Sequence, residues 1–499
     1  MKLRQIAAAA SAAVFLFITG CNPEDRYNVI PGDFSEQPGE PSPPSGPSDP
    51  PGPGTPAEPS DPSGAVTWQE SIDYIFDPDA LSEIHIEVPL KEWNTLLGYY
   101  DADYNTEEHV SCDVTYIKGE ETTVVSNVGL RLKGNTSRRR PENGSGGHKS
   151  PGTSWNHCHF GLNFTKFAND EERTLHGVKR IYLKWFKDDP CYVREVFCYD
   201  LMRRFGVWTA VNSWYVRLFV KVAGDASETY FGVYQVQEVI DKPYLAGRVD
   251  NGFVSSDGNL WKCRYGAALN STASDLFDID DGSSASTPVY ELKTNTLTGR
   301  VAAFNQIKDF IAKVSGKSGD SFYQWIKQVT DVDLLIKTYA ANVAVGMWDD
   351  YWCNTNNYYL YFTTTDVSSY KFFFIPYDYD NTLGTSSMMD SGRQDPLHWG
   401  NDANPLIAKI LSYPDFRDKY IAYLKEIVAE ENALFHYNAA SVRIRSWQEF
   451  VSPYVSNDTG QDMSISDAPA SWGNHSEYRL MTDGTDNFFR VKTATVEAL

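Results

Sequence analysis

Alternating apolar and polar positions predict that the first half of the chain is rich in strands. Between residues 66 and 135, three runs alternate with the period of a half-buried strand: IHIEV (84–88), CDVTYI (112–117) and VVSNVGLRLKG (124–134). In PLKEWNTLLGYY (89–100), the apolar residues recur instead at helical spacing, which predicts one short helix among the strands. Further strands are predicted at 157–164, 180–186, 214–222 and 229–239.

A central helix is predicted directly after the strand RIYLKWF (180–186). Asp189 and Pro190 form a favourable helix start, because a capping carboxylate is followed by proline at the first helical position. Apolar residues then recur at helical spacing up to Phe205, and Gly206 ends the pattern. The sequence therefore predicts a helix over 190–205.

The second half of the chain is predicted to be mostly helical. Helical periodicity runs over 300–348 and again over 404–430, where Pro414 marks a break between two helices. Between these segments, NNYYLY (356–361) and YKFFFIPYD (370–378) have the pattern of a β-hairpin. A strand-rich half followed by a helix-rich half predicts an α+β fold with a ligand cleft between the halves.

The first 65 residues are predicted to be an export signal and a tether. Residues 1–21 combine a basic start, a short apolar run and the lipobox ITGC, so we expect acylation at Cys21 and anchoring in a membrane. Residues 22–65 are rich in Pro, Gly, Ser and acidic residues, which cannot build a core. We expect a cell-envelope lipoprotein of the outer membrane, exposed at the surface, with one folded domain over 66–499. Its core is expected over about 75–430, followed by an extension over 431–499.

Charge and cysteine usage narrow the possible partners. The formal net charge of −22 repels phosphate backbones, so no nucleic-acid partner is expected. No CxxC pair occurs, so a zinc ribbon is not predicted. Cys191 and Cys198 fall on the predicted central helix about 10 Å apart. That separation exceeds the roughly 7 Å limit for a disulfide, so these two cysteines are not expected to pair.

Two carboxylates end the second strand of the predicted hairpin. The stretch FFFIPYDYDNTLG (372–384) runs from four apolar residues into Asp378 and Asp380. On an extended backbone, residues two apart share a face, so both acids would point the same way. Like charges this close are usually tolerated where a cation lies between them. The pattern favours a divalent metal site, and the alternative is a solvated turn.

A second polar cluster precedes the hairpin and has the spacing of a kinase catalytic loop. Asp349 and Asn354 are separated as in the Asp-x4-Asn pattern, in which the acid is the base and the amide binds metal. Asp350 competes with Asp349 for the role of base. Together with Asp378 and Asp380, Asn354 would give a divalent cation the oxygen ligands that it prefers.

The strand-rich half supplies the remaining residues that a kinase needs, in the order along the chain that is typical of kinases. Lys184 ends a strand directly before the central helix, and either Lys133 or Lys184 would hold phosphate oxygens. Glu238 lies near the end of VYQVQEV (233–239), where a hinge between the two halves is expected, and it is a candidate cofactor-binding residue. The alternative is that Glu238 caps the following helix.

Five blocks of the chain resemble the spore-coat CotH kinase family. They are VGLRLKGNTS (128–137), DPCYVREVFCYDLMRRFGV (189–207), FGVYQVQEVIDKPYL (231–245), NNYYLY (356–361) and FFFIPYDYDNTLG (372–384). The resemblance implies a reduced, atypical protein-kinase fold that binds ATP with Mg or Mn. It also implies that Asp349 is the catalytic acid and that Asp378 is a metal ligand.

The sequence departs from the family pattern at two places. A Lys-rich strand is usual where this chain has HCHFGLNF (157–164), and a tryptophan is usual where it has Tyr377. The missing Lys-rich strand at 157–164 bears on how tightly the chain would bind a nucleotide.

Three functions are compatible with the sequence. The leading one is a kinase, anchored at the cell surface, that transfers the γ-phosphate of ATP to a Ser or Thr hydroxyl of a protein substrate. An inactive relative that serves as an adhesin or assembly module is the first alternative. A glycan-associated lipoprotein is the second, although no clear pair of glycosidase acids supports it.

Overall fold

The fold is described from a computed structural model of the chain. The described residues are 67–134, 136–149, 154–170, 173–277, 288–386, 392–468, 480 and 487–499. The predicted signal segment (1–21), Cys21 and the tether (22–65) lie outside them. Within the described residues, no helix combines the length and apolar character needed to cross a membrane.

Seven strands of the first half form a closed barrel. The strands are β1 (Ser82–Val88), β2 (Val110–Lys118), β3 (Glu121–Lys133), β4 (His159–Asn163), β5 (Arg180–Lys184), β6 (Ser213–Val222) and β7 (Thr229–Glu238). Their order around the barrel is β1-β2-β3-β4-β5-β7-β6, and the parallel pairing of β1 with β6 closes it. The predicted alternation is confirmed in β1, where Ile84, Ile86 and Val88 are buried and the residues between them are not. The sequence predicted the strands but not the closure.

Three helices accompany the barrel. They are α1 (Trp68–Ile75), α2 (Leu90–Ala102) and α3 (Arg194–Arg204). The predicted start of α3 at Pro190 is wrong, because the helix begins at Arg194. Asp189 still caps it from a distance, since its carboxylate accepts hydrogen bonds from the backbone N–H groups of Val193 (2.9 Å) and Arg194 (2.8 Å). Residues 190–193 therefore form a capped turn that precedes the helix.

A second sheet extends the predicted hairpin. It contains β8 (Asn259–Cys263), β9 (Tyr290–Leu292), β10 (Tyr358–Phe362) and β11 (Phe372–Pro376), in the order β11-β10-β8-β9. The hairpin of β10 and β11 was predicted, whereas β8 and β9 were not. All five residues of β8 are buried, so its sequence, NLWKC, lacks the alternation by which a half-buried strand is recognised.

Helices are the main regular elements of the remainder. After the short α4 (Lys242–Ala246), they are α5 (Arg300–Gly316), α6 (Gly319–Val329), α7 (Val332–Ala344), α8 (Tyr351–Asn354), α9 (Pro405–Leu411), α10 (Pro414–Val428), α11 (Tyr437–Val451) and α12 (Phe488–Glu497). Pro405 and Pro414 open their helices, and the predicted break near Pro414 is confirmed. The α+β class is confirmed. The expected kinase-like arrangement with its cleft is not, and a barrel and a four-stranded sheet are observed.

Candidate active site

Asp349 lies in the turn between α7 and α8, where three amide side chains surround it. Its carboxylate is fully buried and accepts hydrogen bonds from the Nδ2 atoms of Asn354 (2.5 Å), Asn356 (3.2 Å) and Asn357 (2.9 Å). The structure thus brings together the predicted pair of Asp349 and Asn354. Sequence reasoning missed Asn356 and Asn357, although the run NTNN (354–357) marks a concentration of amides at this point. The three donors hold the carboxylate in one orientation.

Asp350 is buried beside Asp349 and is the N-terminal cap of α8. Its carboxylate accepts a hydrogen bond from the backbone N–H of Cys353 (2.8 Å) and one from Asn342 Nδ2 (3.1 Å). Burial raises the pKa of Asp350 to about 7, and its hydrogen bonds only partly oppose this effect. A pKa near neutrality suits a general base, whereas the capping contact indicates a structural role. The geometry leaves Asp350 next to Asp349, with a different set of partners.

Asp378 follows β11 in a left-handed conformation. The strand ends at Pro376, and the φ angle of Asp378 is +73°. The expectation that Asp378 and Asp380 share a face of an extended strand is therefore wrong, because the backbone turns between them. Asp378 is buried, its backbone N–H donates to Tyr199 Oη (3.1 Å), and Asp380 is partly buried.

The hairpin brings the Asp349 turn and the Asp378 turn to the same end of the second sheet. Tyr358, the first residue of β10, pairs with Pro376, the last residue of β11. The amides that hold Asp349 immediately precede β10, and Asp378 closely follows β11. Paired strands lie only about 4.8 Å apart, so the two turns are neighbours.

Two further contacts join these turns. The backbone N–H of Leu383 donates to the carbonyl of Val345 (2.7 Å), and Trp348 Nε1 donates to Thr385 Oγ1 (2.9 Å). Residues 345–350 and 377–385 therefore pack as one unit, which holds both acidic turns in place.

Lys184 forms a buried ion pair with Glu195. Lys184 ends β5, Glu195 lies in the first turn of α3, and the Nζ–Oε2 distance is 3.6 Å. A lysine on a strand paired with a glutamate on the following helix is the arrangement that protein kinases use to hold phosphates. Sequence reasoning predicted Lys184 but missed Glu195. The available signal was the acid in the first turn of the helix that follows the lysine.

Helix α3 connects this ion pair to the Asp378 turn. Tyr199 lies one turn after Glu195, and its hydroxyl accepts the hydrogen bond from Asp378 N–H described above. Burial raises the pKa of Tyr199 well above its usual value, and the nearby charges of Glu195 and Asp378 act in the same direction. Tyr199 thus lies within electrostatic range of both carboxylates. In addition, Cys198 Sγ is 3.3 Å from Thr382 Oγ1.

Lys133 lies on the same face of the barrel wall as Lys184. Its Nζ is 3.0 Å from the ring centroid of Tyr182, which shares a face with Lys184 because the two are two residues apart on β5. The aliphatic part of Lys133 passes over Gly161, where an added Cβ would lie 2.9 Å from Lys133 Cδ. The sequence left open which lysine contacts phosphate, and the structure places both on one face.

Glu238 lies apart from the acidic turns. Arg248 donates to both of its carboxylate oxygens (2.7 and 2.8 Å), and the backbone N–H and Nδ2 of Asn212 each donate to one of them (2.9 Å). This buried network joins the end of β7 to the segments around Asn212 and Arg248. Glu238 is thus engaged by protein groups, and the structure does not bring it to the other predicted residues.

A large cavity lies next to the lysine strand but does not contain the acids. It encloses about 950 Å³ between residues 136–139, residues 185–192 and residues 461–468. Trp185, which directly follows Lys184, contributes to its wall, and Arg139 lies over the Trp185 ring at 5.7 Å. None of the predicted catalytic or metal-binding residues lines this cavity.

The acidic turns fit a hard divalent cation by their donor chemistry. Among the described residues, no group of three or more His, Cys, Asp or Glu side chains is placed to hold a metal ion. However, the Oδ1 atoms of Asn356 and Asn357 are buried and have no hydrogen-bond partner among the described residues. Amide and carboxylate oxygens are the ligands of Mg²⁺ and Mn²⁺, so these amides supply ligand atoms that the acids alone do not.

Comparison with known proteins identifies one family. Residues 131–482 match the family described as CotH kinase protein. The match includes the barrel strands from β4 onward, α3, the second sheet and both acidic turns. No curated protein matches the chain.

Proposed function

The chain belongs to the CotH kinase protein family, and on this premise we propose that it is a metal-dependent kinase that transfers the γ-phosphate of ATP to a Ser or Thr hydroxyl of a protein. The observation that carries the proposal is the buried ion pair between Lys184 of β5 and Glu195 of α3. The same helix α3 also contacts the Asp378 turn. In kinases, a lysine–glutamate pair and a metal-binding aspartate must both be in place for phosphoryl transfer.

In this proposal, Asp349 is the residue that acts on the acceptor hydroxyl. Its carboxylate orients the hydroxyl and accepts its proton, while the amides of Asn354, Asn356 and Asn357 keep the carboxylate in position. Asp350 supports this arrangement by capping α8 and by binding Asn342. A carboxylate base contributes about 10²–10⁴ in rate when it is correctly placed.

Asp378, Asp380 and Asn354 would hold Mg²⁺ or Mn²⁺, with Asn356 and Asn357 as further oxygen donors. When bound, such an ion neutralises the charge that develops on the phosphates. The left-handed backbone at Asp378 supports this assignment, since strained conformations at non-glycine residues are concentrated at functional sites.

Lys133 and Lys184 would bind phosphate oxygens from the barrel side. The strand at 157–164 lacks the lysines that are usual in the family. This departure bears on how tightly the chain would bind a nucleotide. Lys133 reaches across Gly161 to the face that Tyr182 and Lys184 occupy. A lysine from β3 thereby supplies positive charge beside the strand that lacks it.

The same proposal includes the location of the protein. Acylation of Cys21 would anchor the chain in the outer membrane, and residues 22–65 would hold the kinase domain away from the lipid at the cell surface. A protein substrate would then be met in the envelope or outside the cell.

Autophosphorylation with labelled ATP and Mn²⁺ tests the proposal. The purified parent should incorporate label, and Asp349→Ala and Asp378→Ala should abolish it while both variants keep the far-UV spectrum of the parent. If the parent stays unlabelled with Mn²⁺ and with Mg²⁺, and no protein substrate from the envelope is labelled either, the kinase proposal fails. An adhesin would then be the better description.

A further inference from the structure

A small cavity at the carboxyl end of α3, lined by none of the proposed active-site residues, contains two arginines. It encloses about 160 Å³ between α1, the carboxyl end of α3 and the segments around residues 210 and 250. Arg203 and Arg248 contribute its positive charges, and the rest of the wall is formed by Trp68, Gln69, Trp208, Ala210, Asn212 and Asn251. Amide and indole groups both carry N–H donors. The lining thus combines positive charge with hydrogen-bond donors.

Of the two arginines, only Arg248 is paired. Its guanidinium donates to both carboxylate oxygens of Glu238 and to the carbonyl of Ala210. It also lies 4.7 Å from the Trp68 ring. The charge of Arg248 is therefore balanced by Glu238, and Arg248 forms a fixed part of the cavity wall.

Arg203 has no such partner. Its Nη1 atom is buried without a hydrogen bond, and among the described residues no carboxylate lies within ion-pair distance of its guanidinium. Asp200, one turn earlier on α3, is already occupied by Arg204 (2.6 Å) and Arg443 (3.0 Å). Arg203 as a whole is partly buried, but buried polar atoms are normally hydrogen-bonded, so its Nη1 atom is an exception that an acceptor in the cavity would satisfy.

The electrostatic environment of Arg203 agrees with this description. Burial, followed by the nearby charge of Arg248, lowers the pKa of Arg203 to about 10. The guanidinium still carries its charge at neutral pH. Glu238, Asp200 and Asp73 act in the opposite direction on this pKa, but they do not outweigh burial and Arg248.

We propose that this cavity binds a small free oxyanion of the phosphate class, with Arg203 as the residue that pairs with it. The volume excludes a nucleotide, because pockets for drug-sized ligands enclose about 300–1,000 Å³. Arg203 donates two hydrogen bonds in the fork geometry that matches an oxyanion, and Arg248 adds positive charge from the opposite wall. Since Trp68 belongs to α1 and Arg203 to α3, the bound anion links the first described helix to the core.

Thermal unfolding of the full chain in inorganic phosphate tests this proposal. At constant ionic strength, replacing chloride by phosphate should raise the Tm in a saturable way, because a ligand that binds only the folded state stabilises it. Arg203→Gln should remove the phosphate-dependent shift. Its Tm in chloride should equal or exceed that of the parent, since the substitution removes an unpaired charge. Arg417→Gln, which removes an exposed arginine of α10, should keep the full shift.

Two further variants distinguish phosphate binding in this cavity from binding elsewhere on the protein. Lys184→Met should keep the shift, which separates this cavity from phosphate binding at the proposed active site. Arg203→Lys keeps the positive charge but lacks the paired N–H donors of the guanidinium, so it should weaken phosphate binding several-fold in calorimetry. This variant tests the proposal even if Arg203→Gln does not fold. A parent Tm that responds equally to chloride and phosphate would overturn the proposal. So would a shift of undiminished size in Arg203→Gln or unchanged affinity in Arg203→Lys.

Discussion

Lys184 Nζ lies 3.6 Å from Glu195 Oε2, and both side chains are buried. The lysine ends a barrel strand and the glutamate lies in the first turn of α3, so this ion pair fixes the orientation of the helix relative to the barrel. One turn later, Tyr199 of the same helix contacts the backbone of Asp378. The position of α3 is therefore coupled to both the lysine strand and the acidic turn.

Lys184→Met should reduce autophosphorylation by about 10²–10³-fold, because a preorganised charge that stabilises phosphate oxygens is lost. Glu195→Gln should reduce it less, since the lysine keeps its charge and loses only its orienting partner. Labelled ATP measures both rates. Lys221→Met is the matched control, because Lys221 is a strand lysine paired with Glu87 on the barrel exterior. Equal activity of Lys184→Met and the control would show that Lys184 is structural.

Asp378→Asn should weaken Mn²⁺ binding while the melting temperature changes little. Asparagine tolerates the left-handed backbone of Asp378, whereas alanine there is strained, so Asp378→Ala should also lower the Tm. Titration calorimetry measures the affinity, and Asp418→Asn, at an exposed position of α10, serves as control. A collapse of the Tm in Asp378→Asn would identify a structural acid. Unchanged Mn²⁺ affinity would remove Asp378 from the metal site.

Asp349→Asn and Asp350→Asn distinguish the two candidate bases. If Asp349 accepts the proton, its amide variant should lose about 10²–10⁴-fold in rate, with little change in the KM for ATP. Asp350→Asn should lose less, and it should be more stable than the parent at neutral pH because a buried carboxyl is replaced by a neutral group. The opposite order of rates would assign the base to Asp350.

Gly161→Ala should raise the KM for ATP without a large loss of stability. The added methyl group would come within 2.9 Å of Lys133 Cδ, so the lysine side chain must leave the face that it shares with Lys184. Lys133→Met should have the same effect on KM. Gly98→Ala in α2 is the control, because an added Cβ there has no neighbour within 4 Å. Normal KM values in both Lys133→Met and Gly161→Ala would exclude Lys133 from the nucleotide site.

His148 should make the stability of the barrel depend on pH. Burial lowers its pKa, but hydrogen bonds from its ring to Glu142 (2.6 Å) and Asp225 (3.1 Å) outweigh this effect, and the net pKa is raised. The stabilising contribution of the charged ring is therefore complete below the unfolded pKa of about 6.5. It is lost as the pH rises through the higher folded pKa.

Melting curves of His148→Gln between pH 5.5 and 9 test this expectation. The variant should be less stable than the parent at pH 5.5, and the difference should shrink at alkaline pH. His398→Gln serves as control, because His398 is paired with Asp402 but is 68% exposed, so its ion pair is worth little. A Tm difference that is the same at every pH would show that His148 acts only through its packing.

Residues close together in sequence were predictable at the site. Asp349 and Asn354 were predicted to belong to one loop, and their side chains are in contact because one precedes and the other ends the same short helix. The alternating strands and the helices that begin at proline could also be predicted, since both patterns depend on residues that are neighbours in sequence. In contrast, the helix start at 190 was misjudged, because Asp189 caps the helix across a turn.

The sequence alone determined the family, the α+β class and most strands and helices, whereas the roles assigned to the acids, amides and lysines stay predictions. Only the tertiary structure decided that the strands close into a barrel, that β8 and β9 extend the hairpin, and that Glu195 pairs with Lys184. The physical reason is that strand closure and ion pairing join residues far apart along the chain. Such pairings depend on how whole elements pack, whereas the periodicity of a single element records only which of its faces is buried.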